Sequence, residues 1–234
     1  MEPGSEMRIV GIDPATYTGV VILDADGQPI REAVLKGKGK SAPGGITQEQ
    51  RVSLENQLYS ILRPGDVVIK EGIANGTQMM ITTAKIHGGL ESMITRKGLA
   101  FDEVAPLAVK KFVKVSNWIG EPGSKQPLKG AAKKKAMAAA ALEHFGYSNP
   151  LHDVVDAYII AKIGEAVYRV RNGEKSLDDY PLEYQREVIW SIIDPDGYKE
   201  YEKTKKKKSK TTKRRGKPAA ADSHIHMTEQ SFLF

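Results

Sequence analysis

Two strand-length apolar runs with only five residues between them constrain this chain most. Met7 to Asp13 (MRIVGID) and Gly19 to Leu23 (GVVIL) leave residues 14 to 18 to connect them, so they form two strands around a short turn. Ala25-Asp26-Gly27 then turns the chain into a third strand near Ile30 to Leu35. Beyond a Gly- and Lys-rich loop, helices and strands alternate. The spacing predicts a helix over 47–62, opened by the capping-box pattern Thr47-x-x-Gln50, with Val52, Leu54, Leu58, Ile61 and Leu62 on its apolar face. Asp66 to Glu71 (DVVIKE) is a short strand ending on an acid, and Gln78 to Lys97 is a helix with Gly88-Gly89 where a neighbour can approach closely. A strand at 100–105, a helix from Pro106 to Val115, a Gly/Pro/Lys-rich loop at 117–130 and an alanine-rich helix ending at Gly146 follow. Asn149-Pro150 has the form of an N-cap with proline at the first helical position, opening a helix to about Val170. The pattern specifies an α/β sheet with helices packed on it.

Charge divides the chain differently. Residues 203–217 (KTKKKKSKTTKRRGK) hold ten Lys or Arg and no acid, and without them the formal charge falls from +6 to −4. A second excess lies at 108–135, where eight lysines face one acid, Glu121. Two positive stretches on an acidic body point to a polyanion that touches particular places. No uninterrupted apolar run approaches the roughly 20 residues of a membrane span. The absence of cysteine excludes disulfides and thiolate zinc sites and fits a reducing compartment, the bacterial cytoplasm or that of a phage host.

Four carboxylates occupy positions that carry chemistry. Asp13 ends the first strand and Glu71 the fourth; Asp153 and Asp156 lie three apart near the start of a helix and point from one face. Neighbouring strand ends can present acids side by side, and a helix laid alongside can add two more. Such a cluster repels itself unless cations fill it, and its oxygen donors suit two Mg²⁺ or Mn²⁺ ions. Two such ions activate water and stabilise the leaving oxygen in phosphodiester hydrolysis. Each acid also has a plainer role open to it: a turn, a solvated strand end, a charge against the helix dipole.

Residues 8–19 (RIVGIDPATYTG) resemble the opening of the RuvC-type Holliday junction resolvases, 67–71 (VVIKE) resemble that family's second acidic strand, and 153–161 (DVVDAYIIA) resemble its closing Asp-x-x-Asp-Ala motif. The resemblance spans about residues 7–170 and implies an RNase H-like mixed sheet flanked by helices. It implies a metal-dependent endodeoxyribonuclease for branched DNA, with Asp13, Glu71, Asp153 and Asp156 as metal ligands. Val109-Lys110-Lys111 and Ala132-Lys133-Lys134 resemble segments whose lysines contact the scissile region; Lys110 and Lys134 are the matched positions, and Lys111, Lys133 and Lys135 join them as DNA contacts. The family also implies a homodimer, with the helix 78–97 as the interface.

The chain departs from the family at Ala15, in a Thr18-Gly19 that arrives one residue early, and in a longer loop at 116–130. It departs again at Ala74, where many resolvases carry an aromatic residue, and that admits flaps and forks as substrates. His152 stands four before Asp156, either near the site without a ligand role or as a ligand; His87 reads as a packing or subunit-contact residue.

The expected organisation is a leader at 1–6, a nuclease domain at 7–170, a helical extension at 171–202, a disordered basic tail at 203–228 and a terminal peptide at 229–234. Gln230, Leu233 and Phe234 resemble the peptide that ties bacterial DNA polymerases and repair proteins to the sliding clamp. That end either anchors in a clamp or folds back on the chain, and the basic tail either binds phosphate or solubilises. A non-enzymatic, clamp-tethered DNA-binding adaptor is the alternative function.

Overall fold

The computed structural model describes residues 7–43, 45–73, 80–121 and 123–215, with side chains described as far as 207. The first three strands, β1 (Ile9–Asp13), β2 (Tyr17–Leu23) and β3 (Pro29–Lys36), form an antiparallel meander, and β4 (Val67–Glu71) and β5 (Phe101–Val104) extend the sheet in parallel from β1. The resulting order is β3-β2-β1-β4-β5.

Alternation along β1 assigns each face. Val10 and Ile12 pack with Val20, Ile22 and Leu35 against α1 (Gln48–Ile61) and α2 (Met80–Arg96). Ile9 and Val21 turn to the other face, where α5 (His152–Arg171) lies. Around α5 gather α3 (Pro106–Phe112), α4 (Gly130–Phe145) and α6 (Glu183–Ile193), through Val109, Phe112, Met137, Ile159, Ile163, Val188 and Ile189. Between α5 and α6 the chain makes a 3₁₀ turn at Leu177–Asp179.

Thr47 caps α1 as its spacing predicts: its hydroxyl accepts from the Gln50 N–H while the Gln50 side chain accepts from the Thr47 N–H. Gly146, in the left-handed region at φ 66°, ends α4. Elsewhere local signals misplace boundaries. Asn149 does not cap α5, which begins at His152 after Leu151; the Asn149 side chain accepts from the Leu151 N–H and donates to Glu32 on β3. The loop after α3 contains an unforeseen hairpin, β6 (Trp118–Ile119) with β7 (Gln126–Pro127). Gly89 abuts Glu55 of α1, whereas Gly88 faces open space.

The face carrying α1 and α2 also holds a buried cation. Lys70 on β4 is fully buried, with its ammonium 2.9 Å from Glu91 of α2 and hydrogen-bonded to Glu103, its partner across the ladder on β5. The buried His87 lies beside it, its Nδ1 3.5 Å from the Lys70 Nζ, so His87 is a packing residue of this face.

Among the described residues, those from Asp196 onward belong to a second unit, which consists of α7 (Pro195–Arg215). Residues 203–215, expected to lack structure, are helical. Lysine is a good helix former, and Asp196–Lys199 and Glu202–Lys206 pair along the helix at 3.0 Å each. Gln78, Ala74, the leader and the residues from 216 onward, with Gln230, Leu233 and Phe234, lie outside the described residues. Among the described residues no helix is long and apolar enough to cross a membrane.

Candidate metal centre

The turn after β1 aims Asp13. Asp13 pairs with Gly19 across the hairpin, and the fully buried Thr18 closes the intervening loop, its hydroxyl donating to the Ala15 carbonyl at 2.7 Å. One strand over, the register sets Ile12 beside Lys70, so Asp13 and Glu71 leave neighbouring parallel strands at the same end. Their carboxyl groups are in hydrogen-bond contact.

Two glycines bring α5 down onto that end. A Cβ on Gly11 would lie 2.4 Å from the Ala157 carbonyl oxygen and the Ala161 nitrogen, and one on Gly19 would lie 1.9 Å from the Asp153 carbonyl oxygen. Helix backbone therefore rests directly on sheet backbone, a spacing that no side chain permits. Asp153 and Asp156, one turn apart, are delivered beside Asp13.

Electrostatics shows the four acids sharing one environment. Burial, then Glu71, Asp156 and Asp153, push the Asp13 carboxyl well above the ordinary carboxylate range, with Lys133 opposing. Burial, then Asp156, push Glu71 up to about 7, against Lys133, Lys110 and the hydrogen bond from Asp13. Burial also raises Asp156, with Asp153 adding to the effect and Lys133, His152 and Lys134 opposing it. The Lys110 ammonium is pushed down by burial and by Lys133. The structure thus joins Asp13, Glu71, Asp153 and Asp156 with Lys110 and Lys133.

The other expected lysines sit differently. Lys134, matched by the family resemblance, is exposed, and its charge acts on Asp156 as a minor contribution. Lys133, half-buried and one residue earlier, reaches Asp13, Glu71 and Asp156. Lys111 pairs with Glu187 of α6 at 2.5 Å, and Lys135 is exposed. His152 adds a buried Nδ1 that has no hydrogen-bond partner.

The donor set fits a hard divalent cation. Its oxygens are carboxylate, its mutual repulsion is countered only in part by two lysines, and a cation would relieve the raised acids. Among the described residues no three His, Asp or Glu side chains are already drawn around a single point. Sequence reasoning missed Gly11 and Gly19 as spacers and Lys133 as the central lysine. Gly11, inside a run of β-branched strand residues, is the signal that could have found the first.

No family model and no curated protein matches the chain. Among solved structures, the RuvC structure of Thermus thermophilus matches with a TM-score of 0.50 at 16% identity, over 71% of this chain and 97% of that one. Thermus thermophilus RuvC in complex with Holliday junction substrate matches at 0.49, with 16% identity, over 71% and 96%. The first of these likenesses shows the fold: the mixed five-stranded sheet with its helices is RuvC-like, of the RNase H-like α/β type.

Proposed function

We propose that this protein is a divalent-metal-dependent endonuclease that hydrolyses phosphodiesters in branched DNA, in the manner of a junction resolvase. One observation carries the reading: four acids from β1, β4 and α5 share a single electrostatic environment, with Lys110 and Lys133 beside them. Asp13, Glu71, Asp153 and Asp156 would hold Mg²⁺ or Mn²⁺, two ions per site, which when bound supply an activated water and charge for the leaving oxygen. Lys110 and Lys133 draw the phosphate to the acids and offset their charge. His152 offers its unpartnered Nδ1 to a phosphate oxygen or to a bound water.

To the same reading belong three partners. A homodimer would form through α2, where Gly88 faces open space. The basic run 203–217 would add nonspecific phosphate affinity. Gln230, Leu233 and Phe234 would tether the chain to a bacterial sliding clamp.

Titrating Mn²⁺ or Mg²⁺ into protein with a labelled four-way junction, fork, flap and linear duplex tests the reading. Cleavage should saturate with metal and favour branched DNA, and Asp13→Asn should abolish cleavage while folding and DNA binding persist. Cleavage without metal, or wild-type cleavage by Asp13→Asn, overturns it; binding without cleavage by the unmodified protein makes it an adaptor.

A further inference from the structure

Between α3 and α4 lies a groove that metal-dependent hydrolysis leaves unused. It has a volume of about 750 Å³ and runs between the end of α3, the β6–β7 hairpin, α4 and the start of α6. Trp118 and Ile119 of β6 line it, with Ala140 and His144 of α4 and Tyr184 of α6. Trp118 is 53% exposed and Ile119 50%, unusual for apolar side chains of that size on an otherwise polar hairpin.

The hairpin is built into the site. Lys114 stands in the left-handed region at φ 57°, a conformation that costs a non-glycine residue energy, and there the chain turns out of α3. The Lys110 Nζ donates to Asn117 Oδ1 at 2.7 Å, and the Leu128 N–H donates to the Asn117 carbonyl at 2.8 Å. The residue next to Trp118 is therefore tied to the lysine whose charge reaches Glu71 and Asp156. The groove's own charged lining is one residue of each sign, Lys114 and Glu143, while the stretch 108–135 that frames it has eight lysines against one acid, which suits a polyanion.

We infer that this groove receives an unstacked nucleobase of the DNA, stacked on Trp118, while the adjoining backbone passes Lys110 and Lys133. An aromatic face takes any base, and the lysines hold the phosphates on either side. Bases inside an intact duplex are already stacked and cannot enter without an unpairing cost, whereas those at a branch point are partly released. The groove thereby favours branched over linear DNA at the binding step. The identity of the ligand as DNA rests on the nuclease reading; the contact with Trp118 is measured separately from cleavage.

Trp118 and Trp190 are the two tryptophans of the chain, so full-length protein carrying Trp190→Phe reports on Trp118 alone. Titrating a short oligothymidine and a four-way junction into it without divalent cation, while labelled DNA reports binding by anisotropy, should quench Trp118 emission along the binding curve. Trp118→Ala should weaken oligothymidine binding about tenfold, and Trp118→Phe should restore most of it. DNA that binds by anisotropy and leaves Trp118 emission unchanged overturns the proposal, as does a protein ligand that quenches Trp118 where DNA does not. Quenching without cleavage under metal supports the groove and sinks the nuclease reading; cleavage without quenching does the reverse.

Discussion

Lys133 and Lys134 are adjacent in the chain, yet a helix turns successive side chains by about 100°. Lys133 faces the acids and is half-buried, while Lys134 points into solvent and reaches Asp156 only weakly. Lys133→Ala should therefore lower the cleavage rate roughly 10- to 100-fold, the scale of losing a preorganised charge at a phosphoryl site. Lys134→Ala should change it by about threefold or less, since an exposed charge is screened. Single-turnover rates on a four-way junction separate the two, and equal losses would return the central role to Lys134. Family spacing alone selects Lys134, because a short motif in a run of three lysines fixes the register only to within a residue.

At the scale of elements, the contact of α5 with the β1–β2 hairpin decides whether the site exists. Gly19→Ala drives a Cβ into the Asp153 carbonyl, a backbone atom that cannot rotate aside. The variant should lose about 1–3 kcal/mol of stability in urea unfolding, the usual cost of overpacking. It should also cleave more slowly than that loss explains, since Asp153 and Asp156 move away from Asp13. Full activity in a folded Gly19→Ala protein would refute this account of the contact. Elements with a strong local signal were legible in the sequence: the Thr47 capping box, the Gly146 terminator, and the strands that end on Asp13 and Glu71. Asn149 misled because its cap signal is outweighed by a tertiary bond to Glu32, 117 residues away. The β6–β7 hairpin was hidden because its strands are two residues each, too short for any alternation to show. The helix through 203–215 was hidden by composition, which favours helix and disorder alike in a lysine-rich run.

For the molecule as a whole, the acid cluster couples folding to pH and to cations. Glu71 titrates at about 7 in the folded protein and near 4.3 when unfolded, and Asp13 and Asp156 are raised in the same direction. A raised carboxyl favours folding most where it is protonated. Its contribution is full below the unfolded value and is lost as pH climbs to the folded one. Metal-free protein should therefore lose stability between about pH 4.3 and 7, and Glu71→Gln should flatten that slope. Mn²⁺ added at pH 7.5 should raise the Tm of the unmodified protein, because a ligand that binds only the folded state stabilises it. Thermal melts with and without chelator check both, and a Tm indifferent to Mn²⁺ would argue against these acids as ligands. Which acids would cluster was legible from their places at strand ends and on one helical face. How strongly burial would perturb them was not, since that depends on α5 lying against the sheet with no side chain between.

The buried ammonium on β4 has a consequence for how the sheet is threaded. Lys70 and Glu71 are neighbours that the pleat sends to opposite faces, one to Glu91 and Glu103, the other to Asp13. If β4 slipped by a single residue, the ammonium would turn to the face of Asp13 and the carboxylate to the face where Glu91 and Glu103 stand. The slipped arrangement would trade a matched pair of polar environments for two mismatched ones. The strand that furnishes an acid thus carries, one position earlier, its own proofreading charge: misthreaded chains are rejected by solvation energy before any substrate is present to reveal the fault.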